Sequence, residues 1–200
     1  WMPPEHELSD FQNNLINKCG NLSGLSHWIK GFAGSGKSVL LVYMVERVLT
    51  QEPDAKVCVV AYTHALKDML HNGIPAQLRD QVEVMTYIQF LDNRESYDFV
   101  VLDEIQDIPQ SKLISIKNLS DTLVVAGDSE QSIYVSKSSS EEEIIEKLKP
   151  DVDQLDNNIV AEPTDSRSLH LDFGFMYALN ESFRFGLHFQ QPFIAFYWKF

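Results

Sequence analysis

The strongest chemical signal in the chain is the run Gly31-Phe32-Ala33-Gly34-Ser35-Gly36-Lys37-Ser38. It satisfies G-x-x-x-x-G-K-[ST] at every fixed position. Glycines at 31, 34 and 36 let backbone N–H groups turn inward around a polyphosphate, with Ala33 and Ser35 completing the cradle. A helix starting after Gly36 would aim its positive end at the same anion. Lys37 has the reach for β- and γ-phosphate oxygens, and the Ser38 hydroxyl suits Mg²⁺. A second constellation is Asp103-Glu104-Ile105-Gln106-Asp107. An acidic turn at a strand end is common, but here a phosphate loop lies upstream and needs such a partner. Asp103 would hold Mg²⁺, and Glu104 would orient and deprotonate an attacking water. ATP and Mg²⁺ are therefore the expected cofactors.

These groups need elements to place them. His27-Trp28-Ile29-Lys30 is a short apolar run leading into the glycine-rich loop. Val39 to about Leu49 is apolar nearly all round, as in a buried helix. Lys56–Tyr62 is β-branched and continuous, which suits a strand covered on both faces. Ala65–Leu70 predicts a helix ended by Asn72-Gly73, and Val82–Met85 a short strand. Phe99–Leu102 predicts a strand running into the acidic cluster, so Asp103 and Glu104 sit where α/β sheets bind ligands. Ser111–Leu119 predicts a helix, and Thr122–Ala126 a strand stopping at Gly127-Asp128. The alternation predicts an α/β fold, a mostly parallel sheet with helices on both faces. Phe175–Leu179 predicts a late strand.

Composition bounds the rest. Two hundred residues suit one sizeable domain. Sixteen Lys and Arg against 29 Asp and Glu give −13, which excludes binding to nucleic acid through a general basic surface. Residues 128–165 alone hold three basic and eleven acidic side chains, so this segment is expected to be an exposed excursion. Within it, Ser140-Glu141-Glu142-Glu143 matches a capping box opening one amphipathic helix that Pro150 closes. Cys19 and Cys58 cannot build a disulfide framework, the six histidines show no zinc spacing, and no apolar run is long enough for a membrane span. A cytoplasmic setting with no membrane partner is the expectation.

Several motifs, in order, resemble those of superfamily 1 helicase motors of the UvrD/Rep-like group. Gly31–Ser38 resembles the group's phosphate loop. Ala61–Leu66 resembles motif Ia and Val84–Phe90 motif Ib. Asp103–Asp107 is similar to motif II, D-E-x-Q-D. Gly127-Asp128-Ser129-Glu130-Gln131-Ser132-Ile133-Tyr134 is similar to motif III, G-D-x-x-Q-S-I-Y. Leu179–Arg184 resembles motif IV, and Leu8–Gln12 resembles an adenine-reading Q motif. The resemblance spans about residues 8–185. It implies a RecA-like P-loop NTPase with strand order 5-1-4-3-2, the strand ending at Gly127 lying between the phosphate-loop and motif II strands. It further implies that Gln131 senses the γ-phosphate, that Arg184 stabilises transition-state charge, and that Gln12 and Phe183 contact adenine. Tyr62, Thr63, Thr86 and Tyr134 fall at positions implied to touch single-stranded DNA, by stacking and backbone contacts that need no large positive field.

The chain departs from this family in three places. Thr86 and Asp103 are 17 positions apart, which leaves no room for the DNA-gripping insertion of the large members. Val135-Ser136-Lys137-Ser138 stands where R-W-R-G is common. Residues 186–200 hold six aromatics and no motif V or VI. Residues 1–185 are thus expected to form the RecA-like ATP-binding domain. Residues 186–200 would be the stump of a second RecA-like domain, a tail docked on the core, or a partner surface. The implied function is ATP hydrolysis as the first motor domain of a DNA helicase or translocase, with single-stranded DNA and a second RecA-like domain, in cis or trans, as partners. A non-motor nucleotide-binding module regulating a partner such as a nuclease, and an inactive truncated fragment, are the alternatives.

Overall fold

The computed structural model describes residues 1–19, 24–32, 34–128 and 139–155, together with the backbone of strands 173–180, 183–190 and 193–199. The chain divides into two compact units, Trp1–Ala161 and Glu162–Phe200.

The first unit is built on a six-stranded, all-parallel sheet. Its strands are β1 (Ser26–Lys30), β2 (Val57–Ala61), β3 (Val82–Thr86), β4 (Tyr97–Leu102), β5 (Ser120–Gly127) and β6 (Asp151–Gln154). Their order is β3-β2-β4-β5-β1-β6. The implied order appears as β6-β1-β5-β4-β2, with β3 added at the edge. Among the described residues, α1 (Asp10–Lys18) precedes β1, and α2 (Lys37–Gln51), α3 (His64–Gly73), α4 (Tyr87–Asn93), α5 (Gln110–Asn118) and α6 (Glu141–Leu148) lie between the strands.

Strand alternation sorts the core into two layers. Val57, Val59, Ala61, Phe99, Val101, Val124 and Ala126 face one side and pack with α1, α2 and α3 through residues such as Leu15, Leu40, Leu41, Met44 and Leu70. Cys58, Val60, Val100, Leu102, Leu123 and Val125 face the other and pack with Phe90 of α4, Leu113 and Ile116 of α5, and Ile144 and Leu148 of α6. This double coverage is why the central strands are continuously apolar rather than alternating. Burial also pushes the Cys58 thiol pKa far up, so it is inert packing.

The expectation that residues 128–165 form an exposed excursion is corrected for the described part. The α6 helix opens with the capping box of Ser140 and Glu143 and buries Ile144 and Leu148. The following Asp-Val-Asp-Gln pairs with β1 as the edge strand β6, and Leu155 is buried beyond it. Its polar residues are tolerated because an edge strand meets solvent. Asp153 is held by His27 Nε2 at 2.7 Å and lies 3.7 Å from Lys18 Nζ. No apolar alternation announced this strand.

The second unit contains an antiparallel three-stranded sheet, β7 (Phe173–Asn180), β8 (Phe183–Gln190) and β9 (Phe193–Lys199), in that order. The late strand expected at 175–179 lies within β7. Strand β8 runs across position 185, where the sequence suggested a boundary, and β9 lies within the aromatic tail.

Candidate functional site

Parallel pairing puts all strand C-termini at one edge of the sheet. The phosphate loop leaves β1, Asp103 follows β4, and Gly127 ends β5 between them. Residues 65 positions apart in sequence thereby meet.

Gly36 opens α2 at φ 83°, ψ 15°, a left-handed conformation that costs a side-chain-bearing residue strain. Among the described residues no side chain caps this helix or α5, whereas Ser9, Thr63, Thr86 and Ser140 cap α1, α3, α4 and α6. Among the described residues the first-turn N–H groups of α2 thus have no side-chain cap, which leaves them open to an anion. Ser35 is buried, and its Oγ finds no hydrogen-bond partner among the described residues. A Cβ on Gly31 would come within 2.5 Å of that oxygen, so the concavity exists only because residue 31 is glycine. Lys37 is buried, and its Nζ donates to the carbonyls of Gly31 at 2.6 Å and Phe32 at 2.9 Å. The ammonium therefore lies folded over the loop it would share with a phosphate. These features fit a polyphosphate.

Ser38 Oγ donates to Asp103 Oδ2 at 2.5 Å, and the Glu104 backbone N–H donates to Asp103 Oδ1 at 3.0 Å. Asp103 is fully buried, and desolvation pushes its pKa up to about 6, against the lowering effect of the Ser38 hydrogen bond. A hydroxyl and a carboxylate held together offer the hard oxygens Mg²⁺ prefers, and Mg²⁺ needs few protein ligands beside phosphates and water. The residues present fit the ion. Among the described residues, no cluster of three or more His, Cys, Asp or Glu offers a metal site elsewhere.

Glu104 adopts φ 55°, ψ 51°, turning the chain sharply out of β4. Its Oε2 accepts from Gln106 Nε2 at 2.6 Å, while Gln106 Oε1 accepts from the Asp128 N–H at 3.2 Å. The sequence placed Gln106 in motif II without a role.

At the ends of β2 and β3, Thr63 caps α3 through its Oγ1, and Thr86 forms a capping box with Gln89. The Ala61–Thr86 register brings these ends together, and Tyr62 stacks on Tyr87, with centroids 5.7 Å apart and planes 2° from parallel. Tyr87 was given no role by the sequence. Its position after Thr86, beside the strand that delivers Tyr62, was the available signal. Gln12 is buried, and its side-chain oxygen accepts from the Ser9 N–H at 2.9 Å, so that atom closes the first turn of α1. Ala33, Gln131 and Tyr134 lie outside the described residues. Phe183 and Arg184 begin β8 in the second unit.

Fold and site together define a P-loop NTPase of the α/β class. Residues 27–165 match the model of the viral superfamily 1 RNA helicase core domain. The chain belongs to that family. Among solved structures it resembles the helicase domain of Hef from Pyrococcus furiosus, with TM-score 0.53 and 18% identity over 74% of this chain and 38% of that one. It also resembles the SWI2/SNF2 ATPase core of Sulfolobus solfataricus in complex with dsDNA, with TM-score 0.51 and 13% identity over 74% and 44%. The Pif1 helicase of Candida albicans matches with TM-score 0.49 and 19% identity over 74% and 39%. The chain thus spans about two fifths of the length of these structures. No curated protein matches it.

Proposed function

We propose that the chain carries the first motor domain of a superfamily 1 helicase or translocase of the UvrD/Rep-like type, binding ATP and hydrolysing it with Mg²⁺. The observation that carries this reading is the contact of Ser38 with buried Asp103, which joins the helix after the phosphate loop to the end of β4. Lys37 leaves the carbonyls of Gly31 and Phe32 to meet phosphate oxygens. Backbone N–H groups of Gly34, Ser35 and Gly36, with Ala33, surround the same phosphates. Ser38 and Asp103 hold Mg²⁺, which when bound neutralises developing phosphate charge. Glu104 orients and deprotonates water. Gln131 reports on the γ-phosphate, Arg184 stabilises transition-state charge, and Gln12 and Phe183 contact adenine.

The motif pair D-E-I-Q-D and G-D-S-E-Q-S-I-Y supports the UvrD/Rep-like assignment. Single-stranded DNA is the proposed track, lying over Tyr62, Thr63, Thr86 and Tyr134. The stacked Tyr62–Tyr87 pair supplies a π-surface of the kind such strands use. A second RecA-like domain, in cis or trans, would complete the motor. A reducing cytoplasm is the proposed setting, with Cys19 and Cys58 as buried thiols. No helix among the described residues is long and apolar enough to cross a membrane.

The test is ATP turnover with and without single strands. Lys37→Ala should lower it to background, and unchanged turnover in that variant would overturn the reading. Stimulation by RNA but not DNA would reassign the track. Nucleotide binding without strand-stimulated turnover would favour a module that regulates a partner.

A further inference from the structure

We infer that Gln106 is a positioning residue for the water-activating carboxylate of Glu104, tying its orientation to the end of β5. The inference rests on the hydrolytic reading above. Gln106 is buried, and three of its polar groups are engaged in three directions. Its Nε2 donates to Glu104 Oε2 at 2.6 Å. Its Oε1 accepts from the Asp128 N–H at 3.2 Å. Its backbone carbonyl accepts from the Ser139 N–H at 3.1 Å, and Ser139 Oγ donates to the Ile108 carbonyl at 2.7 Å.

Only an amide of this length meets both side-chain demands. A carboxylate offers no donor to Glu104, asparagine is a methylene shorter, and methionine offers neither donor nor strong acceptor. The neighbouring backbone is shaped to admit the amide. A Cβ at Gly127 would lie 2.2 Å from Gln106 Oε1, so the amide keeps this place only where β5 ends in a residue without a side chain. Glu104 itself leaves β4 in a left-handed conformation, which turns its side chain off the line of the strand and onto this amide. A displacement of the Asp128 N–H therefore pulls on the group that aims Glu104. Since Asp128 opens the segment that carries Gln131, the amide gives that segment a physical route to the hydrolytic carboxylate.

The experiment compares full-length wild type with Gln106→Glu, Gln106→Met and Glu104→Gln. Gln106→Glu keeps an acceptor for the Asp128 N–H but removes the donor to Glu104. Gln106→Met removes both. Steady-state kcat and the Kd of a fluorescent ATP analogue are measured for each. The expected result is a kcat lowered about tenfold or more in both Gln106 variants, toward that of Glu104→Gln, with Kd held within about twofold. A Gln106→Glu variant with wild-type kcat would overturn the inference. So would parallel loss of affinity and turnover, because the residue would then support the fold of the whole site. If wild type hydrolyses ATP and Lys37→Ala does not, the hydrolytic reading stands whatever Gln106 does. A wild type with no turnover sinks both.

Discussion

Replacing Asp103 by asparagine should make the metal-free protein more stable while destroying the proposed Mg²⁺-dependent turnover. Asp103 is fully buried, and desolvation raises its pKa from 3.8 to about 6. The folded state therefore keeps a proton that the unfolded chain has released between those two values. Stability falls as pH rises through that window, and above about pH 6 the full cost is present. At 1.36 kcal/mol per pKa unit, that cost is about 3 kcal/mol. Asparagine cannot ionise, yet its side-chain oxygen can still accept from the Glu104 N–H and its NH₂ can donate to Ser38 Oγ. In chelator at pH 8, Asp103→Asn should gain up to about 3 kcal/mol, and each kcal/mol should raise Tm by about 2–4 °C. Near pH 4 the difference should vanish. Urea unfolding followed by the fluorescence of buried Trp28 in β1 measures this in the first unit. Added Mg²⁺ should stabilise wild type and not the variant. A variant less stable than wild type at pH 8 in chelator, or a difference equal at pH 4 and pH 8, would refute the argument.

Two further substitutions test the surroundings of the site. Gly127→Ala would place a methyl group 2.2 Å from Gln106 Oε1 and 2.8 Å from Ile105 Cγ2. It should cost about 1–3 kcal/mol in urea unfolding and lower kcat as the Gln106 variants do. Ser140→Ala removes the oxygen that accepts from the Glu143 N–H at 3.3 Å. It should destabilise α6 by about 1 kcal/mol, visible as faster hydrogen exchange of the first-turn amides, with nucleotide affinity unchanged.

The strands and helices with strong apolar patterns were legible because their periodicity follows from the solvent they avoid. The β2 and β4 strands and helix α2 are examples, buried against partners on both faces or nearly all round. Shorter or more polar elements gave no such signal. Helix α4 has seven residues, with only Phe90 buried, and opens at Thr86 directly out of β3. Strand β6 is polar at three of four positions and is a strand only because β1 offers it an edge. The same limit applies to the site. Lys37, Ser38 and Asp103 could be named because their chemistry is tied to residue type. Gln106 and Tyr87 could not, because their roles depend on Asp128 and Tyr62, which reach them through strand pairing.

The sequence by itself determined the chemical groups, the phosphate loop and the alternation of strands and helices. These depend on residue type and local spacing, which a chain carries before it folds. Only the tertiary structure decided that Ser38 meets Asp103 and that Gln106 spans from Glu104 to Asp128. It also turned part of an acidic stretch into core and sheet through Ile144, Leu148 and β6. Those outcomes come from parallel pairing over long separations. The position of a buried hydrogen bond there is set by which strands are neighbours, and the order of residues along the chain does not specify it.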